Sequence, residues 1–182
     1  MSEPVPPSYD PDTLHEVYPD EQAARERVAE LRAEVRTATD ETAELLARGD
    51  LVDLLRGLGE LDEALDEARR AVDRAELEGT PAQQHLARVR LAQVQQRRGG
   101  YVDSNIAFTE LVHAAAGFGP VIEAYTHQNA GSNSYDQQDY AAARDHFTRA
   151  LALREEFELP GEEIAVSRQA LQAAVRRLEE AQ

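Results

Sequence analysis

Five histidines, His15, His85, His113, His127 and His146, are the first candidates for chemistry, as metal ligands or proton carriers. No two of them stand at the H-E-x-x-H or H-x3-H spacing that puts two imidazoles on one face of a helix, so no metal site is expected. Cysteine is absent, which removes thiolates and disulfides. Gly117-x-Gly119 lacks the third glycine of a dinucleotide loop and the strand that would precede it. Ser132 and Ser134 lack the surroundings of a nucleophile elbow. Acid pairs such as Glu26/Glu30 and Glu63/Glu67 stand four residues apart, as on a solvated helix face. These residues imply no catalytic group and no cofactor, and a chain that is not an enzyme.

Binding chemistry is better supplied. The net charge is −16, yet from Gly79 to Val102 there is no acid, while Arg88, Arg90, Arg97 and Arg98 are present. From Ala124 to Tyr135 there is no charge apart from His127. The residues expected to face a partner are Arg90, Gln93 and Arg97 from the first stretch, and Tyr125, Gln128, Asn129 and Ser132 from the second. Asn133 takes the place of Ser132 if the helical register shifts. Arginine offers a planar donor fork to carboxylate or phosphate. Asparagine and glutamine match the backbone amides of an extended peptide. Tyrosine adds an apolar face with a polar tip. The expected ligand is a protein or peptide segment, anionic or amide-rich, in a neutral-to-basic groove.

The elements that hold these residues repeat. Gln138, Tyr140, Ala143, Phe147 and Ala150 follow steps of 2, 3, 4 and 3; so do Gly99, Tyr101, Ser104, Phe108 and Leu111, and Gly59, Leu61, Ala64, Ala68 and Ala71. The small residues Ala64, Ser104 and Ala143 lie 40 and 39 apart, and each copy closes on a proline, Pro81, Pro120 or Pro160. Steps of 3 and 4 align one helix face. Gly59, Gly99 and Gln138 stand where one helix stops and the next begins. Proline suits the first turn of the following helix, where its missing N–H costs nothing.

This pattern resembles the tetratricopeptide repeat, whose signature runs G-x-Y-x-x-A-x-x-x-F-x-x-A-[LV] with a closing proline. Asp139-Tyr140 through Phe147 and Ala150-Leu151 fit it, with Gln138 in place of the glycine; in the first copy Ala68 replaces the aromatic. The spacing exceeds the usual period of about 34 residues and looks like the extended repeats of bacterial regulators. The resemblance implies an all-α superhelical array of about three helix hairpins, with the first helix of each pair lining the concave side. Some members clamp carboxylate tails with a cation and paired asparagines. Gly49, Asp53 and Tyr125 depart from that set, so that specificity does not carry over. A second role implied by the likeness is a sensor or regulatory module that binds a small signal or peptide and acts in trans.

The expected organisation is a flexible proline-rich tail over 1–19, then one domain over 20–182. Within it an N-terminal helix (20–43) precedes repeats at 44–79, 80–118 and 119–159, and a capping helix (160–182) ends the array. The first helix carries an apolar stripe of Ala24, Val28, Leu31, Val35, Ala38, Thr42 and Leu45. Docking on the first repeat is favoured over a coiled-coil seam, giving a monomer or weak homodimer. Ile164, Leu171, Val175 and Leu178 form the stripe expected to dock the capping helix. The net charge of −16 opposes nucleic acid and anionic membranes. No apolar run approaches a membrane span, and a cytoplasmic location is expected.

Overall fold

The computed structural model describes residues 7–181. Among them are eight α-helices and one two-stranded ribbon. The helices are α1 (Glu21–Thr37), α2 (Glu41–Gly57), α3 (Leu61–Glu78), α4 (Pro81–Arg97), α5 (Tyr101–Ala115), α6 (Pro120–Asp136), α7 (Tyr140–Glu156) and α8 (Gly161–Glu180). The all-α class is as expected. Where the sequence reads one domain over 20–182, the chain divides into two compact units. Of the described residues, one contains 7–10 and 15–99, the other 11–14 and 100–181. The division falls at Gly99/Gly100, inside the stretch 80–118 read as a single repeat.

The helix ends follow from local chemistry. Asp20, Asp40 and Asp139 each accept a hydrogen bond from the backbone N–H three residues on, satisfying a donor the helix cannot. Thr80 and Gln83 close a reciprocal capping box, with Pro81 behind the cap. The turns that end α2, α4 and α6 share one device. Gly59 and Gly99 both adopt φ 78°, and Gln138 adopts φ 64°. The Glu60 amide then reaches back to the Leu55 carbonyl at 2.9 Å, and the Asp139 amide to that of Ser134 at 3.0 Å. This left-handed closure suits glycine and strains a residue with a Cβ. Gln138→Gly is therefore expected to raise stability by about 0.5 kcal/mol, and Gly99→Ala to lower it by about 1 kcal/mol, in urea unfolding.

In the first unit α1 docks on α2, and α2, α3 and α4 pack in succession. Ala24, Val28 and Leu31 of α1 are buried with Leu51, Val52, Leu55, Ala64, Ala68 and Val94. The stripe on α1 is thus spent within the chain. The first helix ends at Thr37 rather than at 43, because Asp40 caps a new one. The expected free tail is corrected over its described part. Ser8–Tyr9 and Glu16–Val17 pair antiparallel. The Glu16 carboxylate lies 2.5 Å from Arg56, and Tyr18 lies over Gly57, where a Cβ would collide with its ring. Burial, together with Glu16 and Asp53, pushes the Tyr18 phenol pKa up. Residues 1–6 of that expected tail lie outside the described residues.

In the second unit α5, α6, α7 and α8 pack in succession, and a 3-10 turn at Ala116–Phe118 with Gly119 at φ 92° separates α5 from α6. Phe147, Ala143, Tyr135, Ala170, Ala173 and Ala174 form its core, joined by Leu14. The Tyr135 hydroxyl donates to the Asp12 carbonyl at 3.1 Å, so Pro11–Leu14 is also held rather than free. The repeat positions behave alike: Ala64, Ser104 and Ala143 are fully buried, as are Ala68, Phe108 and Phe147 to within a few per cent. The capping helix is corrected. It docks through Ser167, Ala170, Ala173 and Ala174, with Leu171 of the expected stripe packed against the same core, while Val175 is exposed and Ile164 and Leu178 are half-buried. Small residues let α8 approach closely, and the other three of the stripe stay at the edge.

Candidate functional site

The seven residues expected to form a groove fall in different units, Arg90, Gln93 and Arg97 in the first and Tyr125, Gln128, Asn129 and Ser132 in the second. In the first unit Arg88, Arg90 and Arg98 of the acid-free stretch meet acids carried by other helices. The Arg90 Nε lies 3.0 Å from Asp53 Oδ2, and Arg88 lies 2.8 Å from Glu76. Arg98 pairs with Asp62. Arg90 also lies against α2 where Gly49 has no side chain; a Cβ there would stand 2.7 Å from its Cζ. Counting charge along one stretch of sequence missed these acids because α2 and α3 supply them through packing. Gln93 is buried and Arg97 is half-buried.

In the second unit the expected α6 residues are largely spent on the fold. Gln128 is buried; its Oε1 accepts from Ser167 Oγ at 2.6 Å and from Arg154 at 3.3 Å. Asn129 donates to the Tyr125 carbonyl at 2.8 Å, and Ser132 to the Gln128 carbonyl at 3.2 Å. Tyr125 is half-buried.

A cleft of about 430 Å³ opens within this unit on another face of α6. Ala130, Asn133, Ser134 and Gln137 line it from α6, and Asn105, Phe108, Thr109 and Val112 from α5. Asp139 and His146 complete it. Asn133, the alternate to Ser132, is therefore the α6 amide of the expected set that reaches a cavity. Three carboxamides join across the two helices. Asn133 Nδ2 donates to Asn105 Oδ1 at 2.6 Å, Gln137 Nε2 to the same oxygen at 2.9 Å, and Asn105 Nδ2 to Gln137 Oε1 at 3.0 Å. Ser104, the small residue of the repeat, donates to Asn133 Oδ1 at 2.7 Å and fixes its orientation. Asn133 is thus held rigidly, whereas Asn105 lies exposed at the rim. On α5, Val102 and Ile106, close to Asn105 in sequence, are 75% and 60% exposed. Asn105 and Gln137 were missed because no charge or catalytic motif marks them; the signal available was the amide-rich run before Asp139.

His146 meets His127 at 3.0 Å between their Nδ1 atoms. Such a contact needs one donor and one acceptor, so the two imidazoles hold opposite tautomers. Burial and His146 push the His127 pKa down to about 4, against Glu123, which opposes the shift, and with Arg149, which adds to it. Burial lowers His146 as well, against Asp145 and Asp139. An imidazole in the unfolded chain takes its proton near pH 6.5. Between there and pH 4 the unfolded chain binds more protons, so stability falls as pH falls. The expected loss from pH 7.5 to 5 is on the order of 1–2 kcal/mol for the pair, reduced by its partial exposure. Urea midpoints at the two pH values measure it, and His127→Gln with His146→Gln should flatten the difference apart from the share of His85, whose pKa burial also lowers.

Among the described residues no group of three His, Cys, Asp or Glu side chains could hold a metal ion. Among them, too, no helix is long and apolar enough to cross a membrane.

No family model and no curated protein matches the chain significantly. Among solved structures the chain is similar to BtubC (BKLC) from P. vanneervenii, at a TM-score of 0.56 and 18% identity. The match covers 90% of this chain and 72% of that one. At that identity the likeness carries the fold alone.

Proposed function

We propose that the chain is a tetratricopeptide-like array that acts as a non-enzymatic, cytoplasmic scaffold for a protein or peptide segment. The cleft between α5, α6 and α7 carries this reading. It is a cavity of ligand size, with a fixed carboxamide group and an apolar floor of Phe108, Val112 and Ala130. A primary amide offers both donors and acceptors, as an extended peptide backbone requires. The repeated left-handed turns at Gly59, Gly99 and Gln138 support the repeat reading. Burial of Val28 and Leu31 against α2 favours a monomer over the helix-seam dimer.

The cleft replaces the expected groove as the partner surface, since Arg90 and Gln128 are committed to Asp53 and to α8. The test is a cellulose array of overlapping peptides probed with the full chain and with an Asn105→Ala/Gln137→Ala variant. Both side chains stand at the rim, so circular dichroism should be unchanged while peptide capture falls by about tenfold or more. Undiminished capture by the variant contradicts the cleft. Stabilisation by a small acidic metabolite alone, with no peptide captured, would favour the sensing role instead.

A further inference from the structure

We infer that the segment received by the cleft is cationic: an extended peptide carrying an arginine or lysine and no acidic side chain. The inference rests on the reading of the cleft as a peptide site. Among the lining residues Asp139 is the one that carries a full charge, and none is an arginine; the chain contains no lysine. A carboxylate or phosphate entering the cleft would lose water with no cation to replace it, and would meet Asp139 as well. A guanidinium or ammonium gains where the anion loses.

Asp139 is placed to act in this way. Its Oδ1 accepts the Ala142 amide at 3.1 Å and caps α7, and the exposed carboxylate lines the cleft. Burial holds the His146 pKa below its ordinary value, so at neutral pH it brings no competing positive charge beside Asp139. Asn105 and Gln137 line the same cleft, joined to each other at 3.0 Å. The chain as a whole, at −16, draws cations towards every face through long-range attraction. Asp139 contributes beyond that background.

The experiment selects binders from a random peptide library displayed on phage, using the full chain as bait. Binding of a selected peptide is then measured by fluorescence anisotropy to wild type, Asp139→Asn, Asn105→Ala and Glu179→Gln. Asparagine keeps the helix cap, so Asp139→Asn removes the charge and leaves the fold. Glu179→Gln, on the exposed end of α8, removes the same net charge elsewhere. The expected result is a library enriched in Arg or Lys and depleted in Asp and Glu. Binding should weaken about three- to tenfold in Asp139→Asn and less than twofold in Glu179→Gln. Acidic or neutral binders that lose affinity in Asn105→Ala overturn the charge assignment and leave the peptide site standing. Equal weakening by Asp139→Asn and Glu179→Gln overturns it too, by assigning the preference to bulk charge. No selected peptide, or binders indifferent to Asn105→Ala, overturns the site and the charge assignment together.

Discussion

Phe147→Ala is expected to lower the stability of the second unit by about 3–5 kcal/mol, the largest single effect in the chain. Phe147 is fully buried and heads the large side chains with no exposure. It fills the space left by Gly131 on α6, where a Cβ would stand 2.6 Å from its Cδ1 and Cε1 atoms. The missing methyl and the ring are therefore complementary. Gly131→Ala should cost about 1–3 kcal/mol by forcing the ring against a close-packed surround. In a Phe147→Leu background the same change should cost less, because the shorter side chain leaves room. The non-additivity identifies the contact. Because the chain forms two units, a single unfolding transition is not assumed. Native-state hydrogen exchange of α6 and α7 amides reads the effect where it arises.

Arg154→Ala is the second large effect, at about 3 kcal/mol. The guanidinium is buried, and its Nη1 donates to the Glu163 carbonyl at 2.8 Å and to Ser167 Oγ at 2.7 Å. Ser167 passes the bond on to Gln128 at 2.6 Å, so one cation ties α6, α7 and α8. Removing it leaves a buried hydroxyl and carboxamide short of a partner and opens a void. The Glu163 carboxylate, 3.4 Å away and 43% exposed, contributes little by comparison. Glu163→Gln should cost less than about 1 kcal/mol. Parallel urea curves of the two variants separate the buried hydrogen-bond network from the half-exposed ion pair.

These contacts explain which parts of the fold were legible in the sequence. Several helix ends were, because punctuation residues set them: α4 begins at Pro81, α6 at Pro120 and α8 at Gly161 after Pro160, as the proline signals imply, whereas the break between α1 and α2 was not. The small-residue face was legible too, since Ala64, Ser104 and Ala143 are all fully buried. The face by which α8 docks was not. Large apolar residues suggest a stripe of Ile164, Leu171, Val175 and Leu178, yet of these Leu171 packs against the core around Phe147, where Ala170, Ala173 and Ala174 make the buried contact. Close approach selects for small volume, which an apolar count does not register. The N-terminal segment misled through its prolines: a chain that cannot form a helix can still pair as a ribbon and bury Leu14.

The candidate site was legible in composition and not in geometry. The amide-rich run on α6 does hold cavity-lining side chains, but they are Asn133 and Gln137, whereas Gln128 turns to α8 and Asn129, one turn before Asn133, bonds the Tyr125 carbonyl. Five positions along α6 turn the helix by well over a quarter circle, so a small error in register exchanges a partner-facing residue for a packing one. The arginines near Gly99 misled for a different reason. Asp53, Asp62 and Glu76 come from helices earlier in the chain, and only packing brings them to Arg90, Arg98 and Arg88.

The peptide cleft is tested most directly by side-chain amide NMR of the full chain during titration with a library-selected peptide. The NH2 resonances of Asn105 and Gln137 should shift, and those of Gln93 and Asn129 should stay in place. Shifts confined to Gln93 and Asn129, or none at all in a peptide that binds, would contradict it.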